Sequence, residues 1–273
     1  MDIFLYIIIF IMGTVFGSFY SLAIYRIPKK QDITHTHSYC PNCNHKLGFF
    51  DLIPILSYIF LFGKCRYCKE KIRPRYLILE TVSGLLFVGL AYLMNIRINI
   101  LTISKVVEYG FYVLFLTFLM LTIGIDKENR KIEKSVSNYG IVISIMYMLY
   151  LCIVGNASIY RYGIYTLYLI LYIIVLIIDT ITLRKFAKNS YVIGNIFILL
   201  TISIFTGEYV AITTVIYTLL VIALYILFYK IKQRHNKNKK TDMQVAQYIS
   251  IGALMGITNI VICSLALIDK LIN

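Results

Sequence analysis

Ser38-Tyr-Cys40-Pro-Asn-Cys43 and Gly63-Lys-Cys65-Arg-Tyr-Cys68 lie in the one long polar loop of an otherwise apolar chain. The pattern is C-x2-C, 21 residues, C-x2-C. Each pair can turn two thiolates toward one ion, and two such knuckles complete a tetrahedral site. Four soft thiolates with no redox demand suit zinc, so Cys40, Cys43, Cys65 and Cys68 are read as a structural zinc site. Two disulfides or four free thiols are the alternative, and disulfides require an oxidising compartment. His45 is a further candidate ligand, against which stands an ordinary solvated loop histidine.

Outward from this loop the chain is greasy. Of 273 residues 59% are hydrophobic and only 15% charged, which excludes an ordinary soluble domain. Apolar runs of near-spanning length lie at 3–24, 77–96, 106–125, 138–155, 160–183, 191–206, 209–229 and 246–268. The expected fold is an all-α integral membrane protein of about eight transmembrane helices, with a zinc-knuckle cytoplasmic loop between helices 1 and 2. The parts are a first helix at 1–24, a loop domain at 25–76 and a membrane core of about seven helices at 77–273. No internal repeat is evident.

The net charge of +14 could suggest nucleic acid, but its distribution excludes it. The connections 25–76, 126–137, 184–190 and 230–245 hold 10, 4, 3 and 6 of the 27 Lys and Arg, and the alternate connections hold the remaining 4. The positive-inside rule puts the basic connections in the cytoplasm and both termini outside. The first apolar run carries its charge at the inner end and reads as a retained anchor. Lys230 to Lys240 is read as a solvated stretch near anionic headgroups.

Ionisable groups within apolar runs are functional suspects. Glu80, Asp126 and Asp179 all fall near the cytoplasmic side of this topology. Two close carboxyl groups can share one proton and activate water, the aspartic-protease arrangement. Ion pairing is the alternative, with Lys127 and Arg130 beside Asp126 and Arg184 near Asp179.

These residues resemble the type IV prepilin peptidases, bacterial membrane aspartic proteases. Gly17-Ser18-Phe19 with Ile24-Tyr-Arg-Ile-Pro28 is similar to the family's opening stretch. The cysteine pairs with Ile53-Pro-Ile-Leu-Ser-Tyr58 between them resemble its zinc-knuckle loop, and Ile72-Arg-Pro-Arg-Tyr76 followed by Glu80 its closing motif. Ile125-Asp126, with Ile132 six residues on, resembles the first catalytic aspartate motif. Gly194 matches the second glycine of the family's G-x-G-D, Val192 replaces the first, and Asn195 stands at the aspartate. Ser21, Leu77, Glu133 and 243–247 also depart from the pattern.

The resemblance implies a membrane endopeptidase of the bacterial cytoplasmic membrane. It would cleave the leader from type IV prepilins or pseudopilins at the cytoplasmic face, through Asp126 and position 195, with Gly194 allowing close substrate approach. It implies N-methylation of the new terminus in many members. That activity would need S-adenosylmethionine and would fall to the loop, Glu80 and Ser18, although no nucleotide-binding fingerprint is present. An amide does not titrate in the useful range, so this chain is expected to be disabled. Three explanations stand: a deliberate Asp→Asn change, natural divergence, or Asp179 as substitute acid. The other classes weighed are a noncatalytic prepilin-binding or pilus-assembly membrane protein and, more remotely, a transporter.

Overall fold

The computed structural model describes residues 2–34, 37–129, 132–154, 163–171, 173–174, 177, 194–205, 216–217, 219–220, 223–224, 249 and 251. Five α-helices are delimited: α1 (Asp2–Arg26), α2 (Leu56–Phe60), α3 (Arg75–Leu93), α4 (Ile103–Asn129) and α5 (Lys134–Ile153). A further apolar helix runs over Gly194–Phe205. Among the described residues α1, α3, α4 and α5 are long and apolar enough to cross a membrane, and Gly194–Phe205 is shorter. The expected spans at 160–183, 209–229 and 246–268 lie mostly outside the described residues, so eight spans are not established.

The four long helices extend past the apolar runs at one or both ends. α4 continues to Asn129, so Asp126 is inside its last turns rather than at its end. Lys127 there suits the negative end of the helix dipole. The outer faces are those of helices in lipid: Ile3, Phe4, Ile7, Ile11 and Val15 of α1 are more than half exposed.

The chain divides within α4 into two compact units, Met1–Thr117 and Phe118–Asn273. In the first, α1 and α3 form an antiparallel pair held by small residues. A Cβ on Gly13 would lie 2.8 Å from Gly84 Cα, and one on Gly17 only 2.6 Å from Glu80 Cα. Such backbone approach is how helices associate where apolar burial offers no drive. Phe16 packs on Phe87 at 5.3 Å, the Tyr20 hydroxyl pairs with Thr117 Oγ1 at 2.8 Å, and Tyr109 donates to the Phe87 carbonyl. Asp2 accepts the Ile98 N–H, tying the start of α1 to the chain after α3.

In the second unit a Cβ on Gly140 of α5 would meet the Phe118 ring at 2.6 Å. Tyr147 of α5 stacks on Phe205 at 4.6 Å and 5°. A Cβ on Gly194 would come within 2.8 Å of Ile132. Thr122, Ser144 and Thr201 return their hydroxyls to carbonyls four residues back, which satisfies them without water.

Candidate metal centre and acid site

The two cysteine pairs fold alike. Cys40 N–H bonds the His45 carbonyl and Asn44 N–H the Cys40 carbonyl; Cys65 N–H bonds the Glu70 carbonyl and Lys69 N–H the Cys65 carbonyl. Leu47 N–H to the Ser38 carbonyl is matched by Ile72 N–H to the Gly63 carbonyl. Tyr39 bridges Lys46 as Lys64 bridges Lys71. Every partner is offset by 25 residues, a local repeat that sequence reading missed. Its signal is thin: beyond the cysteines, only Lys46 and Lys71 are identical. Asn44 and Lys69 take the left-handed conformation at the equivalent turn position, with φ of 56° and 60°.

These knuckles bring Cys40, Cys43, Cys65 and Cys68 together, with all four sulfurs within 4.8 Å of one another. Cys40 Sγ and Cys68 Sγ are 3.9 Å apart. Tetrahedral thiolates at ~2.3 Å from zinc stand about 3.8 Å apart, so the cradle fits the ion. Burial opposes the Cys40 thiolate, but the N–H groups of Cys43 and Asn42 and the adjacent thiols bring its pKa down to about 7. Cys43 is pushed up to about 11: the His45 N–H favours its thiolate, but desolvation and the neighbouring Cys40 and Cys68 sulfurs outweigh it. His45 is not among the ligands; its ring lies 3.6 Å from that of Tyr67.

The second knuckle is tied to the chain between the pairs. Arg66 Nε donates to Asp51 Oδ1 at 2.6 Å, and Gly48 N–H and Tyr67 Oη donate to Asp51 Oδ2 at 3.1 and 3.3 Å. Arg66 holds the Asp51 carboxyl below its ordinary value, although burial works the other way. Sequence reading passed over Asp51. Arg26, at the end of α1, braces the first limb of the loop by donating to the Asp32 and His37 carbonyls at 2.9 and 3.1 Å.

Glu80 and Ser18 are brought together, with the Ser18 hydroxyl near the Glu80 carboxylate. Glu80 is buried against Gly17, and its Oε2 accepts the Ile55 N–H at 2.7 Å. Ile55 has φ 62° and ψ −54°, and Leu56 N–H bonds the Pro54 carbonyl at 2.6 Å. This is a classic γ-turn, a strained conformation for a β-branched residue. No signal in the sequence marks it, because the acceptor that holds it lies 25 residues away on α3.

Asp126 is 1% exposed, so it points into the protein and not at lipid. Asn195 is half-buried at the start of Gly194–Phe205. Thr122, Ile125, Ile132, Glu133 and Val136 line a small cavity beside this end of α4. Asp179 lies outside the described residues.

Residues 11–94 match the family described as the bacterial peptidase A24 N-terminal domain. A prepilin leader peptidase/N-methyltransferase of Vibrio cholerae is 42% identical over 86 residues, 28% of this chain and 34% of the relative. One of Klebsiella pneumoniae is 37% identical over 92 residues, 32% and 40% respectively. One of Bacillus subtilis is 39% identical over 93 residues, 34% and 38%. The matched stretches thus span well under half the length of these relatives. No solved structure matches the chain. Residues 11–94, which carry the thiolate cradle, the latch at Glu80 and the α1–α3 seam, are similar to the N-terminal domain of the bacterial A24 peptidases and to the corresponding part of prepilin leader peptidase/N-methyltransferases.

Proposed function

We propose that this chain is a prepilin leader peptidase scaffold of the bacterial cytoplasmic membrane, built to cleave type IV prepilins or pseudopilins at the cytoplasmic face. Its acid positions are Asp126 and Asn195. The observation that carries this reading is the seat of Gly194 on Ile132, which brings the helix start holding residues 194 and 195 to the chain just after Asp126. An ionised carboxylate there takes a proton from water while a protonated partner polarises the scissile carbonyl. With Asn195 in the second place the pair holds water but lacks the second titrating group, so the chain as it stands is disabled.

Zinc, held by the four cysteines, supplies folding stability to the loop and no open coordination position for chemistry. Where methyl transfer accompanies cleavage, S-adenosylmethionine is the methyl donor. Glu80, which accepts the Ile55 N–H, then serves by positioning the loop.

Asn195 itself favours a second reading, a noncatalytic membrane protein that captures prepilins or assembly components. A cleavage assay on a prepilin in bilayers separates the two. Cleavage by Asn195→Asp and not by the unaltered chain supports the disabled peptidase. Cleavage by neither supports capture. Cleavage by the unaltered chain that Asp179→Asn abolishes assigns the second acid to Asp179.

A further inference from the structure

The segment between the two knuckles carries an apolar surface that the metal centre does not use. Phe49, Phe50, Phe60 and Phe62 are each 73% to 88% exposed, and Leu56 and Ile59 at least half exposed. They are neighbours: Phe49–Asp51 is a short 3-10 helix that touches α2, which carries Leu56, Ile59 and Phe60. Phe62 follows α2 directly, in the left-handed region at φ 51°. Six large apolar side chains on so short a stretch need a cover.

The Ile55–Glu80 bond shows where this surface sits. Ile55, at the centre of the segment, bonds the sixth residue of α3. At ~1.5 Å per residue that is about 7.5 Å along the helix from Arg75. At this level α3 already presents apolar side chains outward: Ile78 is 57% exposed. Because a helical glutamate leans toward the helix N-terminus, the segment lies beside the first turns of α3, at the end of the α1–α3 pair. Its flanks are cationic. Lys46, Lys64, Arg66, Lys69, Lys71 and Arg73 surround two acids, Asp51 and Glu70, and Asp51 is already paired with Arg66. Aromatic side chains at the depth of a helix end, with cations beside them, match the headgroup region of an anionic bilayer.

We propose that residues 49–62 form an interfacial anchor, with Phe49, Phe50, Phe60 and Phe62 inserted at the headgroup–acyl boundary of an anionic bilayer. The γ-turn at Ile55, latched by Glu80, sets the depth of insertion, and the knuckles are held against the membrane surface. This rests on α1 and α3 spanning a membrane and is independent of the acid pair, so activity plays no part in its test.

The chain contains no tryptophan, so each introduced indole is a lone reporter. Phe49→Trp, Phe60→Trp, Phe62→Trp and the control Glu70→Trp are made in the full zinc-loaded chain, and zinc content verifies the fold of each. They are reconstituted in phosphatidylcholine vesicles containing phosphatidylglycerol. Lipids brominated near the carbonyl should quench the three patch reporters several-fold more than the control, with blue-shifted emission and loss of access to aqueous iodide. Iodide access equal to the control, without lipid quenching, overturns the proposal. So does shielding from iodide without lipid quenching, because protein then covers the patch.

Discussion

Replacing Gly17 by Ala tests the α1–α3 seam on which the loop stands. The added Cβ would lie 2.6 Å from Glu80 Cα and 2.8 Å from the Leu79 carbonyl. Carbon atoms prefer separations of ~3.5–4.0 Å, so the overlap is about 1 Å. Both obstacles are backbone, and only parting the helices relieves it. Overpacking of this kind costs ~1–3 kcal/mol. Alanine also gains up to ~1 kcal/mol of helix propensity over glycine, which must be removed from the comparison. Gly89 of α3 supplies the control, since its added Cβ meets nothing within 4 Å. Gly17→Ala should therefore be less stable than Gly89→Ala by ~1–3 kcal/mol, since the propensity gain is common to both. Denaturant unfolding of the full chain in mild detergent measures the gap. Because Gly17 abuts Glu80, the variant should also expose residues 53–57 to protease. Coincident unfolding curves for the two variants would refute the packing argument.

Three further outcomes are expected. Glu80→Ala leaves the Ile55 N–H without its acceptor, at a cost of ~1–3 kcal/mol; Ile55→Gly, free of strain at φ 62°, should restore part of that loss, read as proteolytic resistance of the loop. Zinc retention should fall with pH: the folded Cys40 pKa of about 7 lies below the ordinary thiol value, so its contribution is full above that value and shrinks as pH drops through about 7. Metal content after gel filtration that stays flat from about pH 8 to about pH 5 would contradict this. Asp51→Ala releases the second knuckle, through Arg66 and Tyr67, from the segment between the pairs, and zinc should then be lost at a lower chelator concentration than in the unaltered chain.

The metal cradle was legible because chelation is a local demand written in local spacing. The membrane-crossing length of α1, α3, α4 and α5 was legible because lipid acts on composition alone. Helix starts were read late, the ends of α3 and α5 slightly long and the end of α4 short: α4 runs on through Asp126-Lys127-Glu128-Asn129 because charged residues continue a helix that an apolar count terminates. The knuckle repeat was hidden because backbone bonds carry it, and side chains vary freely outside the turn. Ile55 was illegible for the opposite reason. Its conformation contradicts its own preference and is dictated by Glu80, which the sequence marks only as an acid near a helix end. Asp126 stood open between ion pair and reactive acid; its burial shows that it faces the interior, and its partner at 195 stays with the proposal.

The shared thiolate cradle also fixes the timing of assembly. Half of its ligands arrive with Cys40 and Cys43 and half with Cys65 and Cys68, so neither knuckle closes the site by itself. During synthesis an ion can be held by all four only after Cys68 has emerged, when α1 has long been complete and α3 is just following it out. Closure of the site would therefore coincide with the arrival of α3 beside α1, so that the loop and the helix pair it caps form together rather than in succession.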